Sequence, residues 1–132
     1  MNRGPPRPSI RFHFLTQAAM LLLLGLYVST GLFLSLLAIR MLKGWLSPNP
    51  YYGFRVSATM KDPVVWDLAN RFAGWRLFFA GLVIAGASAA FYFIPNQNLE
   101  RYALASLAAT VIALSWAIVT SFAYLWRLKP QK

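Results

Sequence analysis

Long apolar runs separated by short clusters of charge organise this chain. No Asp, Glu, Lys or Arg occurs within residues 12–39, 77–99 or 102–126. A helix rises about 1.5 Å per residue, so about 20 apolar residues cross the roughly 30 Å hydrocarbon core of a bilayer. All three windows are long enough, and spans are predicted over about 15–39, 75–94 and 103–126. The remaining 56 of 132 residues are too few to bury three such helices in a soluble core. The pattern therefore predicts an all-α membrane protein with three transmembrane helices. The first run is too long for a secretory signal, whose apolar core has about 7–15 residues, and no A-x-A cleavage site follows it. It reads as a retained anchor.

The polar remainder divides into four pieces. Residues 1–14 form a basic arm with Pro5, Pro6, Pro8, Arg3, Arg7 and Arg11, read as an extended segment beside the membrane. Residues 40–74 form a central loop. Pro95, Asn96, Gln97 and Asn98 are turn formers, which makes the second and third spans an antiparallel hairpin. Residues 127–132 are a short basic tail. Within the central loop, Asp62 is a natural N-cap and Pro63 suits a first helical position. From there Trp66, Asn70 and Gly74 fall at i, i+4 and i+8 on one face, so a short interfacial helix is predicted to lead into the second span.

Composition agrees: 58% of the residues are hydrophobic and 12% charged, where soluble domains carry about 25%. The formal charge of +10 raises the question of nucleic acid. Position answers it, because nearly all the basic residues lie close to a predicted membrane boundary, where topology alone explains them. Nine flank the central-loop and C-terminal side, and four (Arg3, Arg7, Arg11 and Arg101) flank the other. Basic flanks stay inside, so the central loop and C-terminus are expected to be cytoplasmic.

Little in the chain suggests catalysis. Cysteine is absent and His13 is the single histidine, so neither a thiolate nor a multi-histidine metal site is available. Asp62 and Asp67 lie five apart on different helix faces, which does not make a hydrolytic carboxylate pair. No cofactor and no enzymatic activity are expected. Helix association in lipid relies on small residues. The third span carries Ala105, Ala109, Ala113, Ala117 and Ser121 at four-residue spacing, read as one smooth stripe. The second offers Gly81 with Ala85 and Gly86 with Ala90, and the first Gly25 with Ser29 and Gly31 with Ser35. These faces serve either a three-helix bundle or a homo-oligomer.

In the central loop, the run NPYYGFR is followed by Thr59, Trp66, Asn70 and Gly74. This ordered set between two membrane spans resembles the signature of the SdpI family, small bacterial membrane proteins named for an immunity protein against a secreted killing peptide. The matching positions are Asn49, Gly53, Arg55, Thr59, Trp66, Asn70 and Gly74. Val56 departs from the pattern, since a hydroxyl residue commonly follows the arginine. The resemblance implies a protein of the bacterial inner membrane that gives immunity to, or senses, a membrane-active peptide toxin without catalysis. Its partners would be the bilayer and a peptide toxin or protein meeting the central loop. The alternative is a structural or accessory subunit of a larger membrane complex. For the loop itself two roles stay open: Arg55 offers a planar fork for a carboxylate or phosphate, and Asn70 can bond the backbone of the Gly53 turn, so the motif either holds the fold or meets a partner.

Overall fold

The structure, a computed structural model, describes residues 10–128. It consists of α1 (Ile10–Leu42), α2 (Ser57–Lys61), α3 (Pro63–Tyr92) and α4 (Leu99–Leu128), with no strand among the described residues. α1, α3 and α4 are each long and apolar enough to cross a membrane. The predicted class, three such helices with a short helix in the loop between the first and second, is the observed one. α1 begins at Ile10, so residues 10–14, read above as part of an extended arm, form its first turn. No proline interrupts the helix there. Arg3, Arg7, the three prolines near them, Lys129 and Lys132 lie outside the described residues.

The short helix differs in place from the prediction. Asp62 does cap a helix, its Oδ1 accepting from the Val64 and Val65 N–H groups at 2.8 and 3.3 Å, with Pro63 at the first position. That helix does not stop at the second span but runs on through it to Tyr92. Backbone hydrogen bonding has no reason to break where the surroundings change from polar to apolar, because neither proline nor a turn intervenes. The separate short helix is α2, just ahead of Asp62.

α3 is the central element. α1 and α4 each pack along it and touch one another little. The α1–α3 contact rests on small residues: a Cβ on Gly31 would collide with the Gly81 carbonyl oxygen, and one on Gly81 with the Gly31 carbonyl oxygen and the Ser35 hydroxyl. The two backbones meet directly, and the Ser35 hydroxyl donates to the Phe78 carbonyl across the interface at 2.9 Å. Gly31–Ser35 and Gly81–Ala85 are thus the paired faces. Gly25 and Gly86 meet nothing within 4 Å.

The α3–α4 contact is apolar at Ala80, Ile84, Ala113 and Ala117. Toward the hairpin it becomes polar, where Ser88 donates to the Ser106 hydroxyl at 3.0 Å and lies 3.3 Å from the Tyr102 hydroxyl, all three buried. The four-residue stripe of α4 does not stay on one face. A step of four turns about 400°, so the register drifts about 40° each time. Ala113, Ala117 and Ser121 are buried, whereas Ala105 and Ala109 are half-buried and Tyr102 and Ser106 occupy the buried face at that end. The hydroxyls of Thr110, Thr120 and Ser121 bond back to carbonyls of their own helix.

Candidate functional site

The loop between α1 and α3 is held shut by its own side chains. Asn49 makes the first turn: its Oδ1 accepts from the Tyr51 and Tyr52 N–H groups at 2.9 and 2.8 Å, and its Nδ2 donates to the Ser47 carbonyl at 2.9 Å. Such an Asx turn replaces backbone hydrogen bonds that a short loop cannot make. Gly53 follows with φ +116°, a conformation L side chains rarely adopt. A Cβ there would also press on Asn70 Oδ1 at 2.6 Å and on Leu46.

The chain then passes over the first turns of α3. Phe54 N–H donates to Asn70 Oδ1 at 2.6 Å, while Asn70 Nδ2 donates to the Trp66 carbonyl at 2.9 Å. Trp66 Nε1 donates to the Leu46 carbonyl at 2.7 Å. Thr59 accepts from Val56 N–H at 3.1 Å, and its one hydroxyl proton is shared between the Phe54 and Val56 carbonyls at 2.8 and 2.9 Å. Trp66, Asn70 and Thr59 are all fully or almost fully buried. Gly74, two turns further on, lets α3 approach α1, since a Cβ would lie 2.5 Å from the Leu42 nitrogen.

Five of the seven motif positions are therefore accounted for by the loop's own architecture, and Gly74 by the α1–α3 contact. Arg55 is not. It is exposed and makes no hydrogen bond or ion pair among the described residues. Its neighbour Phe54 packs edge-on against Phe122 of α4, with ring centroids 5.0 Å apart. Because α1 and α4 scarcely touch, the loop roofs a gap between them, a cavity of about 410 Å³ floored by Ala73 and Leu77 and walled by Met41, Ile118 and Phe122. Tyr52, also on its rim, donates to the Leu37 carbonyl of α1. Burial raises the Tyr52 hydroxyl pKa above its ordinary value, and the charge of Arg40 opposes this in part.

The family model described as the SdpI/YfhL protein family matches residues 46–124, which takes in the loop, α3 and most of α4. The chain belongs to the SdpI/YfhL protein family. A relative from Bacillus subtilis (strain 168), named Uncharacterized protein YfhL, is 34% identical over 62 residues, 47% of this chain. The chain spans about half the length of that relative, 51%. No solved structure matches it.

The part of this SdpI/YfhL protein that the sequence marked as its motif is one connected structure, apart from the exposed Arg55 and from Gly74, which serves the helix contact below. Val56, the departure from the family pattern, occupies the N-cap of α2 with extended backbone and makes no side-chain cap. A hydroxyl there would bond the first turn, so its replacement by valine leaves Thr59 as the sole hydroxyl in the loop's hydrogen bonding from Phe54 onward. Tyr52 escaped the sequence reading although the YY doublet was in view, since nothing in the pattern says which tyrosine turns toward α1. Arg76 escaped it as well. Its guanidinium lies between two aromatic rings, 4.7 Å from the centroids of both Phe72 and Trp116, and that pairing depends on the α3–α4 register.

Proposed function

We propose that this SdpI/YfhL member is a non-catalytic protein of the bacterial cytoplasmic membrane that protects against, or senses, a membrane-active peptide toxin. The observation that carries the reading is Arg55, the one motif residue without a structural task. It stands exposed next in the chain to Phe54, which lines an apolar cavity between helices. A peptide with an apolar segment and a carboxylate would find both kinds of contact within a few residues: packing against Phe54, Ile118 and Phe122, and the guanidinium fork above. Asp62 is occupied as a helix cap and Asp67 as the partner of Arg71 at 2.8 Å, which leaves no acid poised for hydrolysis in the loop. The count of basic residues, nine against four, supports a cytoplasmic side for the loop and C-terminus.

The test is protection of a sensitive bacterial strain challenged with membrane-active killing peptides. The wild-type chain should raise survival or give a toxin-dependent response. Arg55→Ala should abolish it at unchanged membrane insertion and thermal stability, whereas Trp66→Ala should lose it together with stability. Normal insertion of the wild type without any response to the peptides would refute the proposal. A second reading, an accessory subunit of a membrane complex, draws on Gly25 and Gly86, where a Cβ would meet nothing within 4 Å among the described residues. A companion protein retained in mild detergent would favour it.

A further inference from the structure

The flank of the α3–α4 seam away from the loop cavity carries a second groove, headed by Arg76. Trp116, which lines this groove, and Ile118, which lines the other cavity, are about 200° apart around α4. The groove has a volume of about 450 Å³ and runs between Phe79 and Val83 on α3 and Ile112 and Trp116 on α4, with no polar group along it. Arg76 stands at its head. The guanidinium is held between the rings of Phe72 and Trp116, and Phe72 is itself stacked on Tyr124 at 4.1 Å. Three aromatic rings thus fix its place, between the level of Tyr124 and that of Trp116.

That place is chemically incomplete. Aromatic faces satisfy the charge of a guanidinium but not its five N–H donors, which need oxygen acceptors in the plane of the group. Among the described residues none is supplied: Asp67 is engaged by Arg71, Asp62 caps α3, and Glu100 lies at the opposite end of α4. The level of Thr120 is about six residues, or about 9 Å, inside Trp126 along the axis of α4. That level lies inside the predicted end of the span, and the guanidinium, over the Phe72 ring one turn nearer the loop, reaches back toward the headgroups as long cationic side chains do.

We propose that Arg76 and the groove beneath it form a binding site for an anionic phospholipid of the leaflet on the loop side. The phosphate takes the in-plane donors of Arg76, and one acyl chain lies along Phe79, Val83, Ile112 and Trp116. Charge complementarity selects this occupant: a fixed cation without a side-chain or backbone acceptor among the described residues stands at the head of an apolar furrow and reaches toward the headgroup side. The site is independent of the toxin reading, since it shares no residue with the segment ahead of α3 or with the cavity beneath it.

Trp116 makes the site observable. Purified intact protein in mild detergent is titrated with phosphatidylglycerol or phosphatidylcholine carrying brominated acyl chains, and quenching of Trp116 is obtained as the difference between the wild type and Trp116→Phe. Phosphatidylglycerol should quench it at about fivefold lower concentration, the factor one basic residue contributes near an anionic surface. Arg76→Gln should erase that preference, and Arg76→Lys should keep part of it. Inorganic phosphate should not compete, because it brings no chain. Equal quenching by the two lipids in the wild type would overturn the proposal, as would a preference that persists in Arg76→Gln or competition by free phosphate. Should Arg76→Gln fail to fold, the two-lipid comparison on wild-type Trp116 decides alone.

Discussion

Asn70 Oδ1 accepts the Phe54 N–H at 2.6 Å from within α3, joining the turn of the loop to the helix sixteen residues further along the chain. The same side chain donates to the Trp66 carbonyl one turn back, so the amide is fixed at both ends. It is 2% exposed, and loss of the amide would leave the Phe54 N–H without its partner. Asn70→Ala should therefore cost about 1–3 kcal/mol, the usual penalty for orphaning a buried polar group. Asn70→Asp keeps the acceptor for the Phe54 N–H and, when protonated, regains a donor for the Trp66 carbonyl, so at acidic pH it should cost less than Asn70→Ala. Thermal unfolding in a mild detergent orders the two, and equal losses would contradict the role given to the Phe54 bond.

The helix interface makes a sharper contrast. Gly31 touches the backbone of Gly81, whereas Gly25, six residues earlier on the same helix, meets nothing. Gly31→Ala should push α1 from α3 and cost about 1–3 kcal/mol, as overpacking does. Gly25→Ala should be neutral or add up to about 1 kcal/mol, since alanine is the better helix former. The same unfolding assay separates them, and similar values would mean that the α1–α3 approach is looser than described.

Much of this was readable in advance, and the reasons are local. The charge-free windows mark the long helices because each must satisfy its own backbone in lipid. Asp62–Pro63 announces a helix start, and the spacing of Trp66, Asn70 and Gly74 puts three motif residues on the face that meets the loop and α1. What could not be read depends on register between distant segments. Four-residue spacing suggested a continuous stripe from Ala105 to Ala117, but only the packed register shows where the 3.6-residue helix turns it off the seam. Arg76 looked like a boundary charge, and its position between Phe72 and Trp116 follows from how far α4 slides along α3. Likewise a short interfacial helix is expected to lead into the second span, yet α3 runs from Pro63 to Tyr92 without a break, with the Asp67–Arg71 pair on its exposed side.

Val56 offers a gain of stability. It holds the N-cap of α2 with φ −126° and ψ 163°, the extended backbone that a capping residue adopts, and lacks the oxygen to cap. Val56→Thr keeps the β-branched shape and supplies that oxygen. The expected gain is about 0.5–2 kcal/mol, seen as slower hydrogen exchange of the α2 amides and a higher unfolding midpoint. Destabilisation would mean that packing of the missing methyl outweighs the cap.

Tyr52 ties the loop to α1 through the Leu37 carbonyl. Its pKa is raised above 10.0 by burial, against the opposing charge of Arg40. A raised value means the folded state holds the proton more firmly than the unfolded state. The stabilisation is therefore complete below pH 10.0 and is lost as pH rises through the raised pKa. Tyr52→Phe should cost about 0.5–1.5 kcal/mol near neutrality. It should also remove this part of the alkaline loss, so that unfolding curves of the two proteins converge at high pH. Parallel curves would show that Tyr52 does not titrate with the fold.

The side on which the loop lies can be settled with single cysteines, because the chain contains none. The residue must be chosen by burial. Thr59 is 0% exposed and its hydroxyl serves three loop groups, so a cysteine there would be unreactive on either side of the membrane and would loosen the loop. Ser57, two residues earlier, is exposed at the start of α2 and its side chain makes no hydrogen bond among the described residues. A membrane-impermeant maleimide applied to intact cells should leave Ser57→Cys unlabelled and should label it after the cells are opened. A cysteine at Asn96, exposed in the α3–α4 hairpin, should behave in the opposite way. Labelling of Ser57→Cys from outside, with protection of the hairpin, would reverse the orientation and with it the cytoplasmic placement of Arg55.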